Sequence, residues 1–292
     1  MKYDALRELV QRAEAQQISL GEVILRDEAE ELGIDRDEVF QRMRHSLHVM
    51  QESVQSGMEK DLRSTSGLTG GDAWKMNQRM EQNLTGPVFV SALTKAIAVS
   101  ETNACMGRIV AAPTAGSCGI LPACVLTVME QRQIPEEQAV MALFTASAVG
   151  MVIARNATIA GAEGGCQAEC GSASAMAASA LVEMCGGTPA MAEHACAIAL
   201  KNVLGLVCDP VAGLVEIPCI KRNAMGTANA FTAAEMALAG IESKIPADEV
   251  IWSMKRIGDS MHSDLKETAR GGLAATPTGK QLADKVFGKT EE

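Results

Sequence analysis

The stretch TPAMAEHACAIALKNVLGL (188–206) opens on Thr188-Pro189 and then sets Ala192, Ala195, Cys196, Ala199, Leu200 and Val203 at three- and four-residue steps. Proline suits the first turn of a helix, where its missing N–H has no partner to lose, and the apolar stripe that follows is one helical face. The same texture recurs. Pro135 precedes EEQAVMALFTA and Pro246 precedes ADEVIWSMKRIG, so each is predicted at a first helical position. Between such runs lie glycine-rich turns, at Ser66–Asp72, Pro113–Gly119, Gly161–Gly165 and Gly271-Gly272. Period-two strands rich in β-branched residues are nearly absent, and no internal repeat is visible. The expectation is an all-α fold in one domain spanning 1–292, with a charged helical segment over 1–60 and a helical core over 61–292. Its alanine-rich helices are too apolar for a solvated bundle, so several must be buried on most sides.

The N-terminal segment carries its own punctuation. Ser19-Leu-Gly-Glu22 and Asp35-Arg-Asp-Glu38 have capping-box spacing. After Asp35, the residues Val39, Phe40, Met43, Leu47, Met50 and Val54 share one helical face. His45 and His48 ride on the same helix and read as solvated or packing residues. The apolar faces of these first helices exceed what a compact core needs and are expected to meet a partner chain.

Composition narrows the function classes. Only eight of the 292 residues are aromatic (Trp 2, Tyr 1, Phe 5), against 26 Gly and 17 Met, so the core must be built from small and flexible aliphatic side chains. The net charge of −10 and the lack of a basic stripe exclude a nucleic-acid surface, which needs clustered Lys and Arg. The opening MKYDALRELVQRAEAQQ has no signal-peptide run. The uncharged stretch Ile109–Met129 is broken by Pro113, Gly116, Gly119 and Pro122 into a loop and a helix start, and Ala139–Ala154 is shorter than a span. The chain therefore reads as a soluble, cytoplasmic protein with no membrane partner.

A glycine-rich turn running into a helix offers free backbone N–H groups, and four such turns suggest loops converging on a small anionic ligand. The nine cysteines, an odd number, lie at 105, 118, 124, 166, 170, 185, 196, 208 and 219. A complete disulfide framework is not expected, which leaves buried thiols and metal ligands. Cys196, in the helical stripe, and Cys185, before Gly186-Gly187, read as structural. Cys166 and Cys170 form a C-x₃-C pair, while Cys208 and Cys219 flank a Gly- and Pro-containing loop. The intervals of 42 residues (166 to 208) and 11 residues (208 to 219) match neither a zinc ribbon nor a ferredoxin run, so both readings stay open on spacing alone.

The strings SGLTGGDAWK (66–75), PTAGSCGILP (113–122), NATIAGAEGGCQAECGSAS (156–174), KNVLGLVCDPVAGLVEIPCIKRNAMG (201–226) and GGLAATPTG (271–279) closely resemble the iron–sulfur-dependent L-serine dehydratases, and more narrowly the alpha subunit of their two-subunit form. The resemblance implies a [4Fe–4S] cluster held by Cys166, Cys208 and Cys219; Cys118 and Cys170 are not assigned as ligands. Three protein ligands leave one iron open, as a catalytic zinc keeps an open position, and a Lewis-acidic iron turns the serine β-hydroxyl into a better leaving group. Loss of water and hydrolysis of the resulting imine give pyruvate and ammonia. The residues expected to line the L-serine site are Ser66, Thr69, Gly70, Gly71, Asp72, Thr114, Gly116, Ser117 and Asn156, with Asp72, Glu163 and Glu169 as candidates for the substrate ammonium.

The family's beta portion carries a serine-rich Ser-His-Thr loop that is expected to place a histidine near the substrate, and no such string occurs in these residues. Of the four histidines, His194 lies on a helix and His262 follows Met261; neither sits in a glycine motif. The resemblance thus implies an unassigned general base, a beta subunit to complete the site, and a higher oligomer. Two other readings compete. A pyridoxal-dependent dehydratase would draw its Schiff-base lysine from Lys75, Lys95, Lys201 or Lys221 on an α/β fold. A non-enzymatic helical scaffold or regulatory subunit would use a structural metal.

Overall fold

The computed structural model describes residues 3–288. Thirteen α-helices run through them in the order α1 (Leu6–Gln16), α2 (Leu20–Leu32), α3 (Arg36–Gly57), α4 (Asp72–Gln78), α5 (Pro87–Ala104), α6 (Ile120–Arg132), α7 (Glu136–Asn156), α8 (Gly161–Gly164), α9 (Ser172–Met184), α10 (Pro189–Lys201), α11 (Cys219–Leu238), α12 (Ala247–Ser260) and α13 (Pro277–Phe287). No strand occurs among the described residues; a single parallel bridge joins Cys208 to Lys266. The all-α expectation holds, and the α/β scaffold that a pyridoxal site would need is absent from them.

The organising element is α9, buried along nearly all its length and surrounded by α6, α7, α10 and α11. Its sequence SASAMAASALVEM explains how: alanine and serine let four neighbours approach closely. Two of its serines are answered inside the core: Ser174 donates to the carbonyls of Cys170 and Gly226, and Ser179 to that of Ala192, while the buried Ser172 hydroxyl has no hydrogen-bond partner among the described residues. A turn of π-helix, Gln167–Gly171, leads into α9 and carries Glu169 and Cys170.

The helix starts follow the sequence signals with two shifts. Ser19 caps α2 by accepting from Glu22 N at 3.1 Å, Asp35 caps α3 through Asp37 N, and Thr188 caps α10 with Pro189 at its first position. Pro135 and Pro246, however, sit one residue earlier than expected, as the extended N-cap residues of α7 and α12. Helix α7 also outgrows its apolar stretch. Its 21 residues are long and apolar enough to cross a bilayer, yet most of that apolar window is buried inside the fold.

The N-terminal helices do not leave their apolar faces for a partner. Leu6, Leu9, Val10, Leu20, Ile24, Leu25 and Leu47 are buried in the same core as Phe144 and Leu181, with α2 against α7, α3 against α5 and α1 against α10. That expectation is corrected: the stripes recur because this chain's own core needs them. Contact between α3 and α5 is close enough that a Cβ on Gly57 would lie 1.9 Å from the carbonyl oxygen of Ala98. Gly57→Ala should therefore lower stability by about 1–3 kcal/mol, read as a shift in the urea midpoint at unchanged slope.

Candidate active site

Three separate motifs meet around buried thiols. Cys166 follows Gly165, whose φ of 76° turns the chain out of α8. Cys208 lies on an extended segment held at both backbone groups: its N–H donates to the Leu265 carbonyl at 2.8 Å, and its carbonyl accepts from Glu267 N at 2.7 Å. Cys219 opens α11. All three are buried, and all nine cysteines are free thiols.

The positions one turn beyond Cys219 fix the surroundings. Arg222 donates to the Val207 carbonyl at 2.7 Å and pairs with Asp209 at 2.8 Å, clamping the segment that carries Cys208, and its positive charge acts on the Cys166 thiol. Asp209 in turn accepts from Leu273 N at 2.8 Å, which draws in the GGLAATPTG string. Asn223, fully buried, donates to the carbonyls of Gly116 and Cys219 and accepts from Gly119 N, so it staples the PTAGSCG loop to α11. Neither Arg222 nor Asn223 was anticipated. The available signal was helical spacing, since three and four residues past Cys219 is the same face of one helix.

Glu169 ties the remaining motifs together. Its Oε1 accepts from Thr114 at 2.8 Å, and its Oε2 lies 3.8 Å from the Cys208 thiol. A Cβ on Gly161 would stand 2.8 Å from that Oε2 and 2.9 Å from the Cys208 sulfur, and one on Gly116 would crowd the same carboxylate. Two motif glycines therefore make room for one acid. Burial raises the Glu169 carboxyl above the usual range, against the pull of Thr114.

The thiols respond to this setting differently. A hydrogen bond with Cys170, whose sulfur is 3.4 Å away, holds Cys166 below the ordinary thiol value, with Arg222 assisting. Burial pushes Cys219 up to about 12 and Cys208 higher still, and the negative charge of Cys166, Glu169 and Glu267 adds to both. Soft, water-excluded donors whose joint ionisation is disfavoured fit a cationic iron–sulfur group, which would offset that charge. No three His, Cys, Asp or Glu side chains among the described residues close on a single ion.

The expected substrate residues divide. Thr114, Gly116 and Ser117 lie beside Glu169, with Ser117 3.2 Å from the Thr114 hydroxyl. Ser66 and Thr69 instead donate to Glu216, at 3.0 and 2.6 Å, which links their loop to the Cys208–Cys219 loop. Gly70 and Gly71 shape that loop with positive φ, and the N–H groups of Asp72 and Ala73 just beyond are already taken by the buried Glu101 carboxylate. Asp72 pairs with Lys75 and Lys221, and these pairs lower its carboxyl against the opposing effect of burial. Asn156 is exposed and turned away, its amide donating to the carbonyls of Asp4 and Val152. Glu163, also exposed, accepts from Thr158. His262 accepts from Asp264 N with its ring in solvent.

An all-helical fold that buries three thiols on separate loops and helix starts around Arg222 and Glu169 defines a class of helical, thiol-centred site. Residues 15–274 match the family described as Serine dehydratase alpha chain. The chain is 53% identical to the probable L-serine dehydratase, alpha chain of Bacillus subtilis (strain 168), over 97% of its own length and 95% of that protein's. It is 42% identical to the L-serine dehydratase, alpha chain of Peptoniphilus asaccharolyticus, over 94% and 95%. With L-serine dehydratase 2 of Escherichia coli (strain K12) it shares 36% identity over 93% of this chain but only 61% of that one. The chain belongs to the serine dehydratase alpha chain family.

Proposed function

We propose that this chain is the cluster-bearing alpha subunit of an L-serine dehydratase, a lyase that converts L-serine to pyruvate and ammonia. The observation that carries this reading is the meeting of Cys166, Cys208 and Cys219, from three motifs, in one buried and disulfide-free setting braced by Arg222 and Glu169. These three thiolates would hold a [4Fe–4S] cluster, which when bound supplies a Lewis-acidic iron for the substrate β-hydroxyl.

The remaining work belongs to the chain's own side chains. Thr114 and Ser117, on a loop fixed by Asn223, are placed to orient the substrate carboxylate. Close packing around α9 and the buried motif glycines keeps water from the thiols. The α-proton needs a base, and His262 is engaged with the Asp264 N–H with its ring in solvent, so a beta subunit is assigned that role. The alpha chain names of the relatives support such a partner. A higher oligomer is part of the same proposal.

The test is ammonia and pyruvate release from L-serine by the anaerobically reconstituted two-subunit enzyme, followed through exposure to air. Three thiolate ligands would leave one iron of the cluster open to oxidants. Activity should fall in air and return with ferrous iron and a thiol under anaerobic conditions. Full activity after days in air without iron would reject the cluster. Absence of any serine-dependent ammonia would favour a helical scaffold with a structural metal instead.

A further inference from the structure

A carboxylate withdrawn from water needs a cation or several donors to answer its charge. Most of the buried or half-buried acids near the motif loops have that answer. Asp72 holds Lys75 and Lys221, Glu101 receives two backbone N–H groups, and Asp209 has Arg222 with Leu273 N. Glu169 is wedged between Thr114, Cys208 and two glycines. Glu216 differs. It is 5% exposed, and two hydroxyls, of Ser66 and Thr69, converge on its Oε2. Among the described residues its Oε1 has no hydrogen bond, and no cation pairs with it. The side chain also lines a cavity of about 550 Å³, shared with Ser66, Asn103 and Ala115 of the PTAGSCG loop. Lys285 of α13 borders the same cavity without an ion pair to Glu216.

We propose that Glu216 receives the α-ammonium of the amino-acid substrate, a role that rests on the L-serine dehydratase reading. Ser66 and Thr69 orient the carboxylate by fixing one oxygen and leave the other for the incoming cation. Ala115 adjoins Thr114, so a small amino acid in this cavity has its ammonium on Glu216 and its other end toward the loop that abuts Glu169. A site built around a carboxylate oxygen that no group among the described residues engages and that opens to the cavity selects against analogues that lack the ammonium.

The test uses the assembled, anaerobically loaded enzyme carrying Glu216→Gln in the alpha chain. The amide keeps an acceptor for Ser66 and Thr69 and removes only the charge. The Kd and KM for L-serine should rise about 10–100-fold, the span of a lost charge-assisted hydrogen bond, with iron content unchanged. Calorimetric binding of 3-hydroxypropionate, which lacks the ammonium, should change less than about 3-fold, since it never made that bond. Equal weakening of both ligands would make Glu216 a prop for its loop and overturn the assignment, as would unchanged L-serine affinity. If Glu216→Gln loses iron or fails to fold, Thr69→Val replaces it. A rise of about 3–10-fold confined to L-serine supports the proposal, and no such rise overturns it. A wild-type enzyme that neither binds nor turns over L-serine would defeat the functional reading itself. One that does both, with Glu216→Gln indistinguishable from it, defeats this assignment alone.

Discussion

Cys166→Ala, Cys208→Ala and Cys219→Ala should each strip most of the iron and all turnover from the reconstituted enzyme. Alanine offers no donor, and Cys208 and Cys219 arise from motifs with no spare thiolate beside them. At Cys166 the neighbouring sulfur of Cys170 is only 3.4 Å away, which makes that variant the most demanding of the three. Iron retained in Cys166→Ala but lost when Cys170→Ala is added would show that either sulfur can ligate. The control is Cys196→Ala. Cys196 is fully buried on α10, and burial, with the negative charges of Asp248 and Glu193 adding, pushes its thiol well above the ordinary value. A small core side chain exchanged for another should leave iron and activity intact. Iron analysis and visible absorption of anaerobic samples decide the matter. Loss in Cys196→Ala with retention in Cys219→Ala would reverse the ligand assignment.

The alpha chain alone should bind the cluster yet turn over L-serine ~10²–10⁴ times more slowly than the mixed subunits, the usual cost of a missing acid–base group. The structure strengthens the reason for expecting a base from elsewhere. His48 is engaged with Glu136, His45 with Arg108 and His262 with a backbone N–H, and none of these contacts reaches the cysteines. It also removes one reason, because the N-terminal apolar faces are covered within the chain rather than reserved for a partner. Adding the beta subunit should restore turnover without raising iron per alpha chain. Equal rates with and without it would place the base in this chain, and His194 and His262 would be the residues to replace.

What the sequence conveyed and what it withheld follow a physical line. Helix caps, the α3 stripe and the break at Pro113–Gly119 depend on neighbours within a few residues, and they were legible. The one-residue shifts of Pro135 and Pro246 are also local, but proline tolerates both the N-cap and the first helical position, so the sequence could not choose. Side-chain destinations across the fold were not legible. Asn223 meets Gly116 at a separation of 107 residues and Glu216 meets Thr69 at 147, and no periodicity encodes such pairings. Asn156 sits in a glycine motif and looked equivalent to its neighbours there. The end of α7 instead turns its amide to the Asp4 carbonyl.

The segment carrying Cys208 has a consequence for the order in which the protein is made. Its backbone is clasped by Leu265 and Glu267, and the adjacent Asp209 waits for Leu273, 64 residues further on. Those partners do not exist while Cys166, Cys208 and Cys219 are first emerging from the ribosome. At synthesis rates of about 5–20 residues per second, the Cys208 segment spends ~3–13 s without the wall that later encloses it, and Cys166 longer still. The proposed cluster site is therefore complete only once residues 265–273 have been made, and oxidants have their best access to these cysteines before that wall closes.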